Sequence, residues 1–253
     1  MPATVAQMLE LVNGIAPFEL AEPWDNVGLL AGRGDAEVDR VLCALDLNRR
    51  VLEEAVRDGA QLVITHHPIL FRGRKNLCET DAEGRLLCAL VRSGIAMIAA
   101  HTNYDNACPG VNDALASALG LEDVQALDSG MRVGHIKQTD FGMFADAVGA
   151  SLGGPVRRYG DPKRQVTRVA VLGGAGEDFA HIALDAGAEV YVTGEMSYHK
   201  ATDAADNGLC VLEAGHAATE RPGIFALGRA LQNASDALQY GVCVTQSEAE
   251  LFL

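Results

Sequence analysis

The sequence predicts an α/β fold made of two similar domains, each a mostly parallel sheet covered by helices. Two observations carry this prediction: strand-like apolar runs alternate with helical patterns along the chain, and several of those runs end in polar residues. With 253 residues and 49% hydrophobic content, the chain is long enough to bury a sizeable core.

The first half of the chain reads as three strands alternating with three helices. Asn48 can cap the first helix, and Gly120 closes the last. The predicted elements are strand 41–45, a helix after Asn48 whose apolar stripe covers 51–56, strand 62–65, a helix around 86–91, strand 95–100 and helix 111–119. This order predicts a parallel sheet.

A second series begins near Met131. Its predicted elements are helix 141–152, strand 166–172, helix 179–186, strand 189–193, helix 197–207, strand 210–214, a helix to about 231 and strand 240–245. We therefore predict domains at 1–127 and 128–232, and the final strand, within 233–253, can return to the first domain.

Composition and charge exclude some classes of function. Lys and Arg total 20 against 34 Asp and Glu, and the net charge of −14 argues against a broad nucleic-acid surface. No apolar run approaches the roughly 20 residues that span a bilayer, and no secretory leader pattern is evident. The six cysteines form no C-x-x-C pair, which favours a reduced, cytoplasmic compartment.

Residues that can bind metal follow the ends of several predicted strands. They are His66 and His67 after 62–65, His101 and Asp105 after 95–100, Glu195 and His199 after 189–193, and His216 and Glu220 after 210–214. In open α/β sheets, ligands bind outside the carboxyl ends of the strands, so these groups can converge. Such convergence predicts a metal site.

Each member of this set also has a simpler interpretation. Histidines without a ligand role are common, so His66-His67 alone is weak evidence. His216 and Glu220 strengthen it because residues at i and i+4 share one helical face and can reach one ion. A glutamate near a helix start also complements the helix dipole, and Glu195 with His199 fits a solvated helical turn equally well.

The combined donor set indicates the kind of metal centre. His66, His67 and His216 supply imidazoles, and Asp105 and Glu220 supply carboxylates, which together suit two divalent ions of Zn, Mn, Fe or Ni better than one. His101 can act as a further ligand, as a proton shuttle or as a group that orients a ligand, and we favour the last two roles.

A glycine run, Gly173-Gly174-Ala175-Gly176, precedes a predicted helix. It can cradle a phosphate, but it lacks the lysine of a P-loop. We favour a tight strand-to-helix turn.

Several strings together resemble one family, the NGG-one-interacting-factor-like proteins, often called GTP cyclohydrolase I type 2 homologues. They are 23–29 (PWDNVGL), 64–68 (ITHHP), 101–106 (HTNYDN), 193–195 (TGE) and 215–221 (GHAATER), and they span nearly the whole chain. The resemblance implies two α/β domains with a dinuclear metal centre between them and a toroidal homohexamer. The chain resembles the short form, which lacks an inserted domain.

When the family's metal-ligand positions are carried over to this chain, the resemblance implies that the ligands are His66, His67, Asp105, His216 and Glu220. His101 falls on a neighbouring polar position, and His199 lies in a region that varies in the family. We therefore expect a dinuclear metal-dependent hydrolase acting on a small molecule: a nucleotide, phosphoester or cyclic amide. The alternative is a non-catalytic metal-handling or scaffold protein, whose ions need no open coordination position.

Overall fold

A computed structural model describes residues 2–249 of the chain. It divides into two compact units: unit 1 contains the residues up to 107 and those from 224 onward, and unit 2 is Cys108–Gly223. The helices are α1 (Val5–Ile15), α2 (Arg49–Asp58), α3 (Ala82–Ser93), α4 (Thr102–Asn106), α5 (Val111–Ala118), α6 (Phe141–Leu152), α7 (Ala180–Asp185), α8 (Tyr198–Asp206) and α9 (His216–Ala237).

Strands account for most of the remaining regular structure. They are β1 (Ala3–Thr4), β2 (Gly28–Ala31), β3 (Glu37–Val38), β4 (Arg40–Ala44), β5 (Leu62–Thr65), β6 (Ala96–Ala99), β7 (Glu122–Ala126), β8 (Arg132–Asp140), β9 (Arg157–Tyr159), β10 (Gln165–Ala175), β11 (Val190–Glu195), β12 (Cys210–Glu213) and β13 (Cys243–Gln246). No helix among residues 2–249 is long and apolar enough to cross a bilayer.

Unit 1 is built on a five-stranded sheet of order β13-β4-β5-β6-β2. The first four strands are parallel, and β2 runs antiparallel to β6 at the edge. One face of this sheet packs on α2 and α3, with Val63 and Met97 buried against Val51 and Leu90. Successive strand residues are buried on both faces, which explains why these strands read as continuous apolar runs.

The ends of α2 follow from local chemistry. The Asn48 side-chain oxygen accepts hydrogen bonds from the backbone N–H groups of Arg50 and Val51, as expected of a helix cap. Gly59, at φ 69°, ends the helix in the left-handed conformation that glycine adopts without strain.

Unit 2 is built on a six-stranded sheet of order β7-β8-β10-β11-β12-β9. Its centre, β10-β11-β12, is parallel, and the remaining pairings are antiparallel. Side chains along β10 alternate between two cores, so Val169 and Val171 pack with α5 and α6, whereas Ala170 and Leu172 pack with α7 and α8.

The predicted α/β fold class is confirmed, and the structure adds elements that the sequence pattern does not reveal. These additions are α1, the short β1–β3 pair, β2, and the antiparallel strands β7, β8 and β9. The helix 111–119 and the segment up to 127, which we assign to the first domain, belong to unit 2, because Leu115 lies in a unit 2 core and β7 pairs with β8.

The C-terminal part of the chain belongs to unit 1. The division between the units falls at 223/224, inside α9, rather than at 232/233. Strand β13 pairs in parallel with β4, and the segment from 250 to 253 lies outside the described residues.

Candidate metal centre

In unit 1, two neighbouring strands deliver the predicted ligands to one edge of the sheet. His66 and His67 follow β5 directly, and His101 lies between β6 and α4. Because β5 and β6 are parallel and pair Thr65 with Ala99, both strands end at the same level. Asp105 is on α4, one turn beyond His101.

Three imidazoles meet at this edge. One ring nitrogen from each of His66, His67 and His101 lies within 4.8 Å of the others, and this group can hold a metal ion. Their ring centroids are 5.1 to 5.5 Å apart. Asp105 adds a carboxylate, with its Oδ1 3.5 Å from Nε2 of the buried His66. The cluster therefore combines the donors that Zn²⁺ and related ions prefer.

The hydrogen bonds of His66 and His67 fix which nitrogen faces the cluster. His66 Nδ1 lies 2.9 Å from the carbonyl oxygen of Ala100, and His67 Nδ1 lies 2.9 Å from Asp46 Oδ1. A carbonyl or carboxylate oxygen only accepts, so each Nδ1 carries the proton and donates it. Each Nε2 is then a lone-pair donor, the form that ligates metal.

His101 is oriented in the same way by a carboxylate distant in sequence. Its Nδ1 lies 2.9 Å from Asp25 Oδ1, while Asp25 Oδ2 accepts hydrogen bonds from the backbone N–H and hydroxyl of Thr102. Burial opposes ionisation of Asp25, but the hydrogen bonds from His101 and Thr102 outweigh it and hold the pKa of Asp25 well below its usual range. Asp25 is therefore an anion facing the His101 ring.

Sequence reasoning missed the roles of Asp25 and Asp46. Asp25 lies within the 23–29 string, but nothing in that string links it to His101, which is 76 residues away. Asp46 had a usable signal, because it follows β4 just as the histidines follow β5 and β6.

In unit 2, His216 and Glu220 form the second predicted ligand pair. They occupy the first turns of α9, and His216 Nε2 lies 3.2 Å from Glu220 Oε1, as their i, i+4 spacing indicates. His216 Nδ1 lies 3.4 Å from Oε2 of Glu195, so Glu195 contacts a candidate ligand and is more than a solvated turn residue. His199 is exposed on α8, with its ring against Tyr198.

Two glycines, Gly174 of the glycine run and Gly194, leave space for His216 and Glu220. Gly174, at φ 68°, lies at the end of β10, where a Cβ would clash with Glu220 Oε1. A Cβ on Gly194 would lie 2.7 Å from Thr219 Oγ1 and 2.8 Å from His216 Cα. Gly174 and Gly194 thus permit close approach of β10 and β11 to α9, and for the glycine run this favours the packing interpretation over a phosphate cradle.

Comparison with known proteins identifies the group to which these features belong. The model of the Duf34/NIF3 (NGG1p interacting factor 3) family matches residues 3–250. A GTP cyclohydrolase 1 type 2 homolog of Clostridium perfringens is 32% identical over 239 residues, covering 90% of this chain and 91% of that protein. Its counterpart in Streptomyces coelicolor is 36% identical over 234 residues, covering 86% and 82%.

A solved structure agrees with the fold. The crystal structure of a Bacillus cereus protein related to NIF3 superposes with a TM-score of 0.93 at 25% identity, covering 98% of this chain and 97% of that one.

Proposed function

Since the chain belongs to the Duf34/NIF3 family, we propose that it is a metal-dependent hydrolase with a dinuclear centre. The proposed ligands are His66, His67, Asp105, His216 and Glu220. We propose a nucleotide, phosphoester or cyclic amide as the substrate class, and the relatives' name, GTP cyclohydrolase 1 type 2 homolog, supports the nucleotide.

One observation carries the proposal: the Nδ1 atoms of His66, His67 and His101 all face oxygen acceptors at 2.9 Å. A histidine cluster with no ligand role has no need to align three tautomers, whereas metal-binding histidines generally donate their second N–H to an oxygen. The alignment leaves the Nε2 lone pairs of His66 and His67 available to bind metal, and it leaves the second ring nitrogen of His101 in the same cluster available to exchange a proton.

The donor set fits a pair of divalent ions. The imidazoles of the three ligand histidines and the two carboxylates match the preferences of Zn, Mn, Fe and Ni. The three histidines are His66, His67 and His216. The carboxylates of Asp105 and Glu220 offset part of the positive charge of the ions. When bound, such ions would polarise the scissile group and lower the pKa of a water towards neutrality.

The chain's own residues supply orientation and proton transfer. We assign His101 the role of proton shuttle, because its Nδ1–H is held by the Asp25 carboxylate and its other nitrogen is directed to the histidine cluster. The carboxylate holds the imidazole in one tautomer and orientation, which leaves the other ring nitrogen of His101 placed to exchange a proton with a reacting group.

Metal content and turnover test the proposal together. The purified protein should bind close to two divalent ions per chain after reconstitution with Zn or Mn, lose them to a chelator, and hydrolyse a member of a nucleotide, phosphoester and cyclic-amide panel. Glu220→Gln is the control for a contaminating enzyme, because it alters the centre without changing the purification. Trace metal after reconstitution would overturn the metal site. Two tightly held ions without turnover above the variant would favour metal handling or scaffolding.

A further inference from the structure

A cavity of about 660 Å³ opens in unit 1 beside the candidate metal centre. Its polar end includes Asp25, which holds His101, and the basic segment Arg72–Lys75. Its apolar wall includes Phe71, Leu77 and Val91, all of which are substantially exposed. The volume lies within the range of small-molecule sites.

The cavity is lined by more basic than acidic side chains, although the chain carries a net charge of −14. Arg72, Arg74 and Lys75 line it, and among its lining residues in the described range Asp25 is the one carboxylate. Arg74 is neutralised by ion pairs with Asp81 and Glu83. Arg72 and Lys75 make no ion pair with any residue in the range 2–249, so two uncompensated cations face the cavity.

Aromatic rings connect the cavity to the metal centre. Phe71 packs edge-to-face on Trp24, with ring centroids 5.7 Å apart, and both rings lie 6.2 Å from the centroid of His101. A ligand ring placed on the exposed face of Phe71 therefore lies one side chain away from the proposed proton shuttle. Flat aromatic ligands gain both apolar burial and ring contacts at such a position.

We propose that this cavity is the substrate-specificity pocket and that it selects a phosphate monoester whose alcohol part carries a flat aromatic ring, such as a nucleoside monophosphate. The phosphate binds Arg72 and Lys75, and the ring packs on Phe71 against the Leu77–Val91 wall. This inference rests on the proposed function, since it assigns the substrate class of that same site. The guanidinium of Arg72 suits bidentate contact with phosphate, and Lys75 adds a point charge.

Trp24 gives a direct measure of binding that does not depend on turnover. It is the chain's single tryptophan, it is 59% exposed, and it contacts Phe71. The fluorescence emission of Trp24 should therefore change when the aromatic ring of a ligand enters the cavity. Suitable probes are adenosine 5′-monophosphate, adenosine and ribose 5-phosphate, with calorimetry as a second measurement.

We expect the monophosphate to bind at least tenfold more tightly than adenosine or ribose 5-phosphate. Arg72→Gln and Lys75→Gln should each weaken binding of the monophosphate about tenfold, because each removes one charge-assisted contact with the phosphate. Phe71→Ala should weaken binding of the monophosphate and of adenosine, but leave that of ribose 5-phosphate unchanged. Lys163→Gln, which removes an exposed cation from unit 2, is the matched control and should have no effect.

The outcome separates this inference from the proposed hydrolase. Equal affinity of wild type, Arg72→Gln and Lys75→Gln for the monophosphate would overturn the pocket assignment even if the protein hydrolyses another substrate. Selective binding that these variants weaken, with metal content unchanged, would support the pocket even if turnover is absent.

Discussion

At the scale of single residues, the acceptor of each Nδ1–H distinguishes the three clustered histidines. His66 donates to a backbone carbonyl, which fixes its tautomer without adding charge. His67 and His101 donate to the carboxylates of Asp46 and Asp25, which fix the tautomer and also place a negative charge beside each ring. The Asp25–His101 pair is the more constrained, because Thr102 holds the other carboxylate oxygen.

This arrangement predicts that two groups of variants behave differently. Variants of the Asp25–His101 pair should lose turnover but keep metal, whereas variants of the proposed ligands should lose metal. Asp25→Asn should lower turnover by about 10-fold or more and His101→Ala by about 100-fold or more, with both variants retaining most of their metal. Asp105→Asn and Glu220→Gln should instead lose metal, because each removes a ligand charge. Elemental analysis alongside kinetics distinguishes the pairs. Equal metal loss in all four variants would contradict the shuttle role of His101.

At the scale of elements, the parallel strands were predictable and the antiparallel strands were not. The runs in β4, β5 and β6 are buried on both faces, so their apolar pattern is continuous. β8 has a weaker signal because it begins at Arg132, which is buried in an ion pair with Asp113 rather than exposed as its charge suggests. Long-range partners of this kind leave no trace in local periodicity.

The residues of the candidate site also divide into those that the sequence could predict and those that it could not. Residues that come directly after parallel strands, such as His66 and His101, could be predicted because parallel strands place their carboxyl ends at one edge. Asp25 could not, since it comes from the loop before the antiparallel edge strand β2 and reaches His101 through tertiary packing. Glu195 was ambiguous because its contact with His216 joins two elements.

The end of β10 offers a test of how an element positions a ligand. Gly174→Ala places a methyl group against Glu220 Oε1 and strains a residue at φ 68°, so Glu220 must move. We expect a cost of about 1 kcal/mol in the free energy of unfolding together with reduced metal occupancy. Gly187→Ala is the matched control, because Gly187 has φ 72° and no described atom lies within 4 Å of the position that a Cβ would take there.

In urea denaturation of the metal-free protein, Gly174→Ala should therefore lose at least as much stability as Gly187→Ala, since both strain a positive φ and Gly174→Ala also displaces Glu220. Only Gly174→Ala should change the metal content. Unchanged metal occupancy in Gly174→Ala would show that Glu220 does not need its observed position.

Glu189, directly before the strand β11 of unit 2, predicts a pH dependence of stability. Its Oε2 accepts hydrogen bonds from the backbone N–H groups of Thr167 and Arg168 and from the Thr167 hydroxyl. Partial burial raises the pKa of Glu189, but these hydrogen bonds outweigh it and lower that pKa below its ordinary value of 4.5. The carboxylate therefore stabilises the fold fully above that value, and the contribution is lost as pH falls through the folded pKa.

Glu189→Gln should lower the free energy of unfolding by about 1 kcal/mol at neutral pH. The difference from wild type should shrink in urea titrations carried from about pH 7 towards pH 3.5. Glu10→Gln, on the exposed face of α1, is the control and should leave stability unchanged at every pH. A deficit that stays constant across the series would indicate a packing effect of the amide instead.

At the scale of the whole molecule, charge limits how copies of the chain associate. A formal charge of −14 per chain makes copies repel one another, so a stable assembly must rest on specific apolar contacts. Large apolar side chains are exposed on both units, including Val56 and Leu238 on unit 1 and Met143 and Tyr198 on unit 2. Such residues are candidates for those contacts.

The family resemblance implies a toroidal homohexamer, and its response to salt follows from the charge. Light scattering at about 0.15 M salt, where the Debye length is roughly 8 Å, should report six times the mass of one chain. At about 0.01 M salt, where that length is roughly 30 Å, repulsion between copies acts over a longer range and should shift the distribution of assemblies towards smaller species.

Met143→Lys and Tyr198→Lys add positive charge to exposed apolar sites, so either should dissociate the assembly if its site lies in an interface. A monomer in the wild type at moderate salt would refute the hexamer, whereas a hexamer insensitive to salt would show that apolar contacts outweigh the repulsion throughout.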